Sequence, residues 1–308
     1  MHSPPPVDSP KTEKHAVAPS LLAWMLVVGQ LVSGAVAAQH RHLLWEVTSP
    51  AGKAWLLGSI HFGRESMYPL PDEIENAYAH SGTLAVEVNV EAVDRTAALR
   101  AFRSRGVYDD GSTLEENLSP ATWARVEEAA RRYDVPVKVF ERQKPWLVAL
   151  TLTTMELSRS GLSEAWGVDR YFLRKAAEHK PVVELESFAS QMELFSGFSP
   201  REQQEFLEAT LRDLETGGEL FARTVTAWRD GDADAVDALM NDSFRSLADS
   251  RHLYRVLVTE RNLAMTDGIE HLLQKGGTCF VVVGAAHLVG AEGIVSLLGR
   301  RGYEVVQH

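Results

Sequence analysis

The chain has 308 residues, of which 45% are hydrophobic and 24% are charged, as in ordinary globular proteins. Its formal net charge at pH 7 is -11, which argues against a nucleic-acid partner because such a partner needs a basic protein face. The only cysteine is Cys279, so no intramolecular disulfide can form. Its neighbours, "TCFVVVG", predict a buried strand in which the thiol is a small hydrophobe and not a nucleophile.

Residues 1–38 have the features of a secretory signal peptide. A proline-rich start with two lysines precedes an apolar stretch from Leu21 to Val36, and "AVA" fits a signal-peptidase site. We predict cleavage after Ala37 or Ala38, so that residues 39–308 form the mature, secreted or periplasmic protein. The alternative is an uncleaved membrane anchor, because the apolar stretch is close to the minimum spanning length. No membrane span is expected in the mature chain.

The first part of the mature chain predicts strands and one short helix. Two partly alternating runs, "HLLWEVTS" and "KAWLLGSI", are separated by Pro50-Ala51-Gly52 and predict a β-hairpin. In "PLPDEIENAYAHS", Pro71 marks a helix start, and the acidic residues that follow suit the positive end of the helix dipole. The run "TLAVEVN" predicts a third strand that ends between Glu87 and Asn89.

Helices are predicted for most of the middle of the chain, from about residue 91 to 275. Ser119 as a cap and Pro120 at the first helical position signal one of them, and one strand, Val182–Leu185, interrupts the region. The C-terminal part predicts a strand in "TCFVVVG", a helix in "AEGIVSLLGRRG" and a strand in "YEVVQ". We therefore expect a single α/β (α+β) domain over residues 39–308. Its central mixed β-sheet is surrounded by helices, with a long helical insertion in the middle of the chain.

Two predicted strands end in the same local pattern, Gly-x-x-His. Gly58 precedes His61 in "LLGSIHFG", and Gly284 precedes His287 in "VVGAAHLVG". Glycine lets the backbone turn as it leaves a strand, so the imidazole can point across the carboxyl edge of the sheet, where α/β proteins bind ligands. Glu87 follows the apolar "LAV" of a third strand in a similar position. Two imidazoles and a carboxylate at one edge suit Zn²⁺, Mn²⁺ or Co²⁺.

Other polar residues are candidates for supporting roles. Arg261 and Asn262 lie in "TERNLAM", midway along a predicted helix whose other face is apolar. The arginine could grip a substrate carboxylate or stabilise an oxyanion, and the asparagine could fix the tautomer of a ligand histidine. Ser59, Arg64 and Glu65 flank the first histidine and have a weaker case. Ordinary structural roles are the alternative for each of these residues, because a lone strand-end histidine is more often hydrogen-bonded in a loop than a ligand.

The motifs resemble the TraB/PrgY/GumN family, to which the Wnt-cleaving Tiki proteases also belong. The resemblance extends through nearly the whole mature chain and includes "LLGSIHFG", "LAVEVN", "GVDRYFL", "VVELES", "WRDGD", "ERNLAM" and "VVGAAHLVGAEGIVSLLGRRGYEV". It implies a fold related to erythromycin esterase and the haem-associated lipoprotein ChaN. It also implies that His61 and His287 match the paired histidines, Glu87 the glutamate, and Arg261 with Asn262 the late Arg-Asn pair. Where many relatives read Gly-Thr-x-His, this chain has serine, so a hydroxyl is retained.

Residues and resemblance together predict a metal-dependent hydrolase, with a Tiki-like peptidase as the leading interpretation. A divalent ion held by His61, Glu87 and His287 would activate water and polarise a carbonyl, and no organic cofactor is expected. A metal-independent, esterase-like hydrolase with one histidine as general base is an open alternative. So is a non-catalytic protein that binds a peptide signal or supports polysaccharide export. A mere structural remnant is disfavoured because both motifs are intact. The expected partner is a peptide or small-molecule substrate.

Overall fold

The computed structural model describes residues 41–308 except residue 178, residues 217–218 and residues 246–249. The predicted signal peptide lies outside the described residues. The described chain belongs to one compact unit that contains the whole β-sheet and three hydrophobic clusters, so it holds a complete core of its own. Within this part of the chain, no helix is both long enough and apolar enough to cross a membrane.

A six-stranded mixed sheet forms the centre of this unit. Its strands are β1 (Leu44–Thr48), β2 (Gly52–Ser59), β3 (Thr83–Val86), β4 (Val182–Glu184), β5 (Gly277–Gly284) and β6 (Glu304–Gln307). They are arranged in the order β4-β3-β5-β2-β1-β6. β2, β5, β3 and β4 run parallel to one another, whereas β1 is antiparallel to both of its neighbours. The carboxyl ends of the four parallel strands therefore lie at the same edge of the sheet.

Helices make up most of the remaining described chain, which confirms the predicted α/β class. They are α1 (Asp72–Ala79), α2 (Arg95–Gly106), α3 (Pro120–Arg132), α4 (Pro145–Arg159), α5 (Val168–Ala176), α6 (Phe188–Ser196), α7 (Pro200–Glu215), α8 (Glu219–Arg229), α9 (Ala233–Arg245), α10 (Ser250–Tyr254), α11 (Glu260–Lys275), α12 (Ala285–Leu288) and α13 (Ile294–Arg300). A π-helical turn, Arg255–Thr259, joins α10 to α11.

The two central strands, β2 and β5, are the most deeply buried part of the sheet. They pair in parallel along their whole length, with Leu56 opposite Val281 and Ser59 opposite Gly284. Both Leu56 and Val281 are fully buried. Strands covered on both faces read as nearly continuous apolar runs, which explains the segments "WLLG" and "FVVVG". This rigid centre fixes the position of the strand ends that follow it.

The predicted helical middle of the chain has a hydrophobic cluster separate from the one around the sheet. Helices α3, α4 and α7 pack there around Phe140, Leu152 and Leu207, which are all fully buried. Helix α3 begins as the sequence predicts, because the Ser119 side chain accepts a hydrogen bond from the Thr122 N–H. The helical segment between β3 and β5 thus contains packing of its own, and only β4 interrupts its helices.

The predicted hairpin, third strand and late strands are all present, with two boundaries shifted. β3 ends at Val86, earlier than predicted. Beyond it the Glu87 carbonyl still accepts from the Glu186 N–H, whereas the Asn89 N–H donates to the Glu184 side chain. Helix α13 begins at Ile294 and leaves out the start of "AEGIVSLLGRRG". A turn precedes it, in which Gly290 has a φ of 80° and accepts a hydrogen bond from the Gly293 N–H.

Candidate active site

Three strand ends place the predicted histidines and glutamate at one edge of the sheet. His61 follows β2 by two residues, Glu87 follows β3 directly, and His287 lies in α12, which follows β5. The last residues of β2 and β5, Ser59 and Gly284, are partners in the parallel ladder. Residues from opposite ends of the chain are therefore neighbours in space.

The three side chains surround Gly284. A side chain placed on this glycine would begin 3.2 Å from Oε1 of Glu87, 3.5 Å from Cδ2 of His287 and 3.8 Å from Nε2 of His61. The φ of Gly284 is −51°, which any residue can adopt. Its role is therefore to leave space where the three groups meet, and the expectation that it serves to turn the backbone is wrong.

Gly58, in the first motif, is also required for space. A side chain on Gly58 would begin 3.1 Å from Cα of Ala285, at the start of the helix that carries the second histidine. The backbone carbonyl of Gly58 accepts a hydrogen bond of 2.7 Å from the indole N–H of Trp228, in α8. Close packing of β2 against α12 and α8 thus positions the two Gly-x-x-His segments relative to each other.

His287 is buried, and its tautomer follows from its neighbours. The Asn262 Nδ2 donates to the backbone carbonyl of Glu292 at 2.8 Å, so the Asn262 Oδ1 faces the Nδ1 of His287 at 2.6 Å. Since this oxygen can only accept, Nδ1 carries the proton and Nε2 keeps its lone pair. Desolvation by burial lowers the pKa of His287 to about 4, although the charge of Glu87 opposes the shift. The ring is neutral at pH 7.

His61 is paired with Asp169, at the start of α5. The His61 Nδ1 lies 3.5 Å from Oδ1 of Asp169. Desolvation lowers the pKa of His61, but Asp169 and, more weakly, Glu87 outweigh it and raise the pKa above its ordinary value. Because 58% of the His61 side chain is exposed, water screens these charges. The protonated form is favoured, and Nε2 is the atom that lies toward Gly284.

Glu87 is an ionised carboxylate with both oxygens engaged. The Gly284 N–H donates to Oε1 at 2.5 Å, and Nη2 of Arg261 donates to Oε2 at 2.8 Å. Burial raises the pKa of Glu87, but the charges of His287, His61 and Arg261, together with the Gly284 N–H, lower it to about 2. The carboxylate is therefore a fixed negative charge beside both histidines.

The Arg261 guanidinium is nearly saturated with acceptors. Nε donates to Oε1 of Glu186 at 2.8 Å, and Nη2 donates both to Glu186 Oε2 and to Glu87 Oε2. Nη1 donates to the backbone carbonyl of Leu257 at 3.2 Å. One of the five N–H groups of an arginine is left for another partner. Arg261 therefore holds Glu87 in place, and the expected oxyanion or carboxylate-gripping role does not fit this arrangement.

A cavity of about 230 Å³ opens beside these residues. Its lining includes Ser59, His61, Glu87, Asp169 and Gln191, whereas His287 is not part of the lining. A larger groove of about 960 Å³ contains none of the three predicted ligands. The smaller cavity is the candidate site because Glu87 and the His61–Asp169 pair line it, although the groove is larger.

Of the three residues that flank His61, only Ser59 lies in this cavity. It is 3% exposed, and its Oγ is one of the buried side-chain atoms without a hydrogen-bond partner among the described residues. Arg64 turns away and donates to the Ser160 carbonyl at 2.8 Å. Glu65 begins an exposed 3₁₀ turn, Glu65–Met67. Arg64 and Glu65 therefore do not line this cavity, and the prediction that they do is wrong.

Three neighbours of the site are not predicted from the sequence: Asp169, Glu186 and Gln191. Asp169 lies in "GVDRYFL" and Glu186 in "VVELES", so the stretches that carry the family resemblance were the available signal. Gln191 donates to Oε2 of Glu186 at 2.9 Å and lies 3.4 Å from Oε2 of Glu87. Nothing in the sequence distinguishes it from other polar residues of a helix.

The predicted metal ligands have suitable donor atoms but not the spacing of a metal site. Two imidazole Nε2 atoms and a carboxylate suit Zn²⁺ or Mn²⁺. In the described part of the chain, however, no three His, Cys, Asp or Glu side chains are placed to hold one ion. The guanidinium of Arg261 also occupies Glu87 at 2.8 Å, where a cation would be repelled. In this arrangement, His61, Glu87 and His287 do not fit a metal ion. Their role as metal ligands stays a prediction.

The fold and the site define an α/β protein with a Gly-x-x-His histidine at the ends of two paired parallel strands. Residues 43–307 match the sequence model of the TraB/PrgY/gumN family, and the chain belongs to this family. This agrees with the resemblance that the motifs carry.

Relatives of the chain occur in several bacteria. It is 28% identical to the uncharacterized protein YbaP of Escherichia coli (strain K12) over 268 residues, which cover 85% of this chain and 95% of the relative. The same values hold for YbaP of Shigella flexneri. An uncharacterized protein of Treponema pallidum (strain Nichols) is 19% identical over 294 residues, which cover 91% of this chain and 88% of that protein. No solved structure matches the chain.

Proposed function

We propose that the chain is a hydrolase that cleaves an acyl bond at the site around Gly284, with a peptide bond as the first candidate. The observation that carries the proposal is a pair of histidines whose Nδ1 atoms each face an oxygen. His287 Nδ1 is hydrogen-bonded to Asn262 Oδ1, and His61 Nδ1 lies at ion-pair distance, 3.5 Å, from Asp169 Oδ1. An imidazole oriented in this way presents its Nε2 for proton transfer. The choice of a peptide bond rests on the resemblance to the Tiki proteases.

The two histidines have surroundings that suit different roles. His287 does not line the cavity, but it lies beside Gly284 with its lone pair on Nε2. In this proposal it accepts a proton from a water molecule admitted to the space around Gly284, while the water oxygen attacks the substrate carbonyl. His61 is half-exposed and paired with Asp169, so it can donate a proton to the leaving nitrogen or oxygen as the acyl bond breaks. The proton removed from water balances the one given to the leaving group. A water molecule returns the proton from His287 to His61 before the next cycle.

Glu87 supports this chemistry by its charge. It lies beside both histidines and stabilises the imidazolium that forms on His287 when water loses its proton. The carboxylate is held by the Gly284 N–H and by Arg261, which Glu186 holds from the other side. This fixed arrangement needs no reorganisation during the reaction, which is the condition for electrostatic stabilisation.

A metal-dependent peptidase is the second candidate. It is favoured by the hydrogen bond at Nδ1 of His287 and by the carboxylate of Asp169 that faces Nδ1 of His61, since histidines that bind metals have such partners at the other ring nitrogen. In this alternative His61, Glu87 and His287 would hold Mn²⁺, Co²⁺ or Zn²⁺ once Glu87 moved away from Arg261. The ion would supply Lewis-acid chemistry.

The test is hydrolysis of a peptide library and of matched ester and amide substrates by residues 39–308. Each assay is run after dialysis against EDTA and again with added Mn²⁺, Co²⁺ or Zn²⁺. The variants His61→Ala and His287→Ala are compared with His271→Ala, which changes an exposed histidine of α11. Thermal unfolding of each variant shows whether it is folded.

We expect hydrolysis by the parent and His271→Ala proteins and its loss in the two site variants. Activity that survives EDTA supports the metal-free route, and activity restored only by an added ion supports the metal-dependent one. Peptide that binds saturably without cleavage under every condition would contradict a hydrolase and indicate a binding protein.

A further inference from the structure

Helix α2 has an unusual concentration of positive charge for an acidic protein. Its twelve residues include Arg95, Arg100, Arg103 and Arg105 and contain no acidic residue, although the chain as a whole has a formal net charge of -11. Only Gly106, the last residue of the helix, is buried. The helix therefore presents most of its surface to solvent.

The inner side of α2 is fixed by a few contacts. Phe102 packs against the rings of Trp146 and Phe188, with ring centroids 6.4 Å and 5.9 Å away. Arg105 pairs with Glu193 of α6 at 3.1 Å. Ala98 and Ala101 are half-buried on the same side. These contacts determine which residues of the helix face outward.

The outward side combines three arginines with one large apolar residue. At 3.6 residues per turn, Arg95, Leu99, Arg103 and Arg100 lie within an arc of about 140°, and Arg95 is at the edge of this arc, two turns before Phe102 on nearly the same line of the helix. All four are exposed, and Leu99 is 70% exposed, more than any other large hydrophobic residue in the described chain. None of these three arginines has an ion-pair partner among the residues that the structure describes.

We propose that this outward face of α2, formed by Arg95, Leu99, Arg100 and Arg103, binds the surface of an anionic phospholipid bilayer. Arginines attract acidic headgroups, and an apolar side chain between them can enter the boundary with the acyl chains. The face is convex and consists of a single helix side. It offers no groove and no row of free backbone groups in which a peptide could pair, so a flat lipid surface fits it better than an acidic polypeptide.

The acidic remainder of the protein does not prevent this interaction. At physiological ionic strength, charges separated by more than about 8 Å are largely screened. The positive charge of the outward face of α2 therefore decides whether it is attracted to the membrane. Each basic residue near an anionic surface strengthens association by about fivefold, corresponding to about 1 kcal/mol. Binding through three arginines and one leucine is therefore weak, reversible and sensitive to salt.

The experiment is co-sedimentation of residues 39–308 with lipid vesicles. Vesicles that contain phosphatidylglycerol in phosphatidylcholine are compared with phosphatidylcholine alone. The test variants are R95Q/R100Q/R103Q and Leu99→Ser. A matched control, R131Q/R201Q/R229Q, removes the same charge from three other helices, where these side chains are 65%, 74% and 72% exposed. Thermal unfolding verifies that every variant is folded.

We expect the parent and control proteins to bind only the vesicles with phosphatidylglycerol and to be released by salt. The triple variant of α2 should bind at least about tenfold more weakly, and Leu99→Ser more weakly than the parent. No binding by the parent, equal binding to both vesicle types, or equal loss in the control would overturn the proposal. Tighter binding to inorganic phosphate or to a poly-glutamate peptide than to vesicles would also overturn it, because the face would then recognise a soluble anion or an acidic chain.

Discussion

Gly284 shows how one residue can define the site by the atoms it lacks. The carboxylate of Glu87 and the two imidazoles approach the position that a Cβ would occupy, while the Gly284 N–H donates to the same carboxylate. The backbone conformation itself is ordinary. Space and a hydrogen-bond donor, and not conformational freedom, are therefore what this glycine contributes.

Gly284→Ala tests this interpretation. We expect a folded protein, because the backbone tolerates alanine, but with activity reduced by roughly 10- to 100-fold, because the methyl group displaces the Glu87 carboxylate. The measurement is kcat/KM together with Tm. Gly299→Ala, in an exposed position of α13 with no atom within 4 Å of the added Cβ, is the control and should leave activity unchanged. Full activity of Gly284→Ala would show that the reacting groups do not meet there.

The Asn262 side chain is hydrogen-bonded both to His287 and to the backbone of Glu292, so its removal should lower the free energy of unfolding. Asn262→Ala leaves the buried Nδ1–H without its acceptor, and a buried unsatisfied group costs about 1–3 kcal/mol. Urea unfolding measures this change in the free energy of unfolding. Asn117→Ala removes a similar hydrogen bond from a side-chain amide to a backbone carbonyl. Because this hydrogen bond is exposed, the free energy of unfolding should change by less than about 0.5 kcal/mol. Equal changes for both variants would count against a buried Asn262–His287 pair.

Cys279 is a buried structural residue, as the sequence predicts. It is 7% exposed, and burial raises the pKa of its thiol to about 11. The folded state thus favours the neutral thiol, so this group's contribution to stability is complete below the unfolded pKa and is lost as pH rises toward 11. We expect slow reaction with a disulfide reagent near a pH of about 8 and rapid reaction after unfolding in guanidinium. Equally fast labelling of the folded protein would contradict the burial.

At the scale of elements, the segment after β2 depends on a close contact with the segment before α5. Gly63 and Ser163 form a backbone bridge, and the Val168 N–H donates to the Ile60 carbonyl. A side chain on Gly63 would begin 2.1 Å from the Trp166 carbonyl oxygen, which is impossible without movement. This contact brings Asp169, at the start of α5, to His61.

Gly63→Ala should therefore disturb both stability and the site. Forcing a methyl group into a closed contact costs about 1–3 kcal/mol and moves the loop that carries His61. Chemical unfolding and kcat/KM are measured together and compared with Gly82→Ala, where the nearest atom to an added Cβ is 3.8 Å away. An unchanged free energy of unfolding in Gly63→Ala would mean that the two loops do not pack as described.

The sequence predicts the secondary-structure elements and the residues at strand ends better than it predicts which side chains contact those residues. Alternation and the Pro-Ala-Gly turn define the β1–β2 hairpin, and apolar runs locate β3 and β5, so His61, Glu87 and His287 are found at strand ends. Asp169 cannot be found in this way, because its contact with His61 depends on loop packing. The saturation of Arg261 likewise depends on Glu186, which follows a different strand.

At the scale of the whole molecule, the sheet joins the two ends of the chain into one site. β2 lies near the start of the described chain and β5 near its end, yet they are the central parallel pair. The helical segment between them has packing of its own and also supplies Asp169, Glu186 and Gln191 to the site. The two motifs therefore depend on residues from the middle of the chain as well as on each other.

A double-mutant cycle of His61→Ala and His287→Ala measures most directly whether the two histidines act in one site. We predict that each single variant loses about 10²- to 10⁴-fold in kcat/KM and that the double variant loses little more than either, because both act on the same reaction step. Losses that simply multiply in the double variant, or full activity in either single variant, would contradict a shared active site.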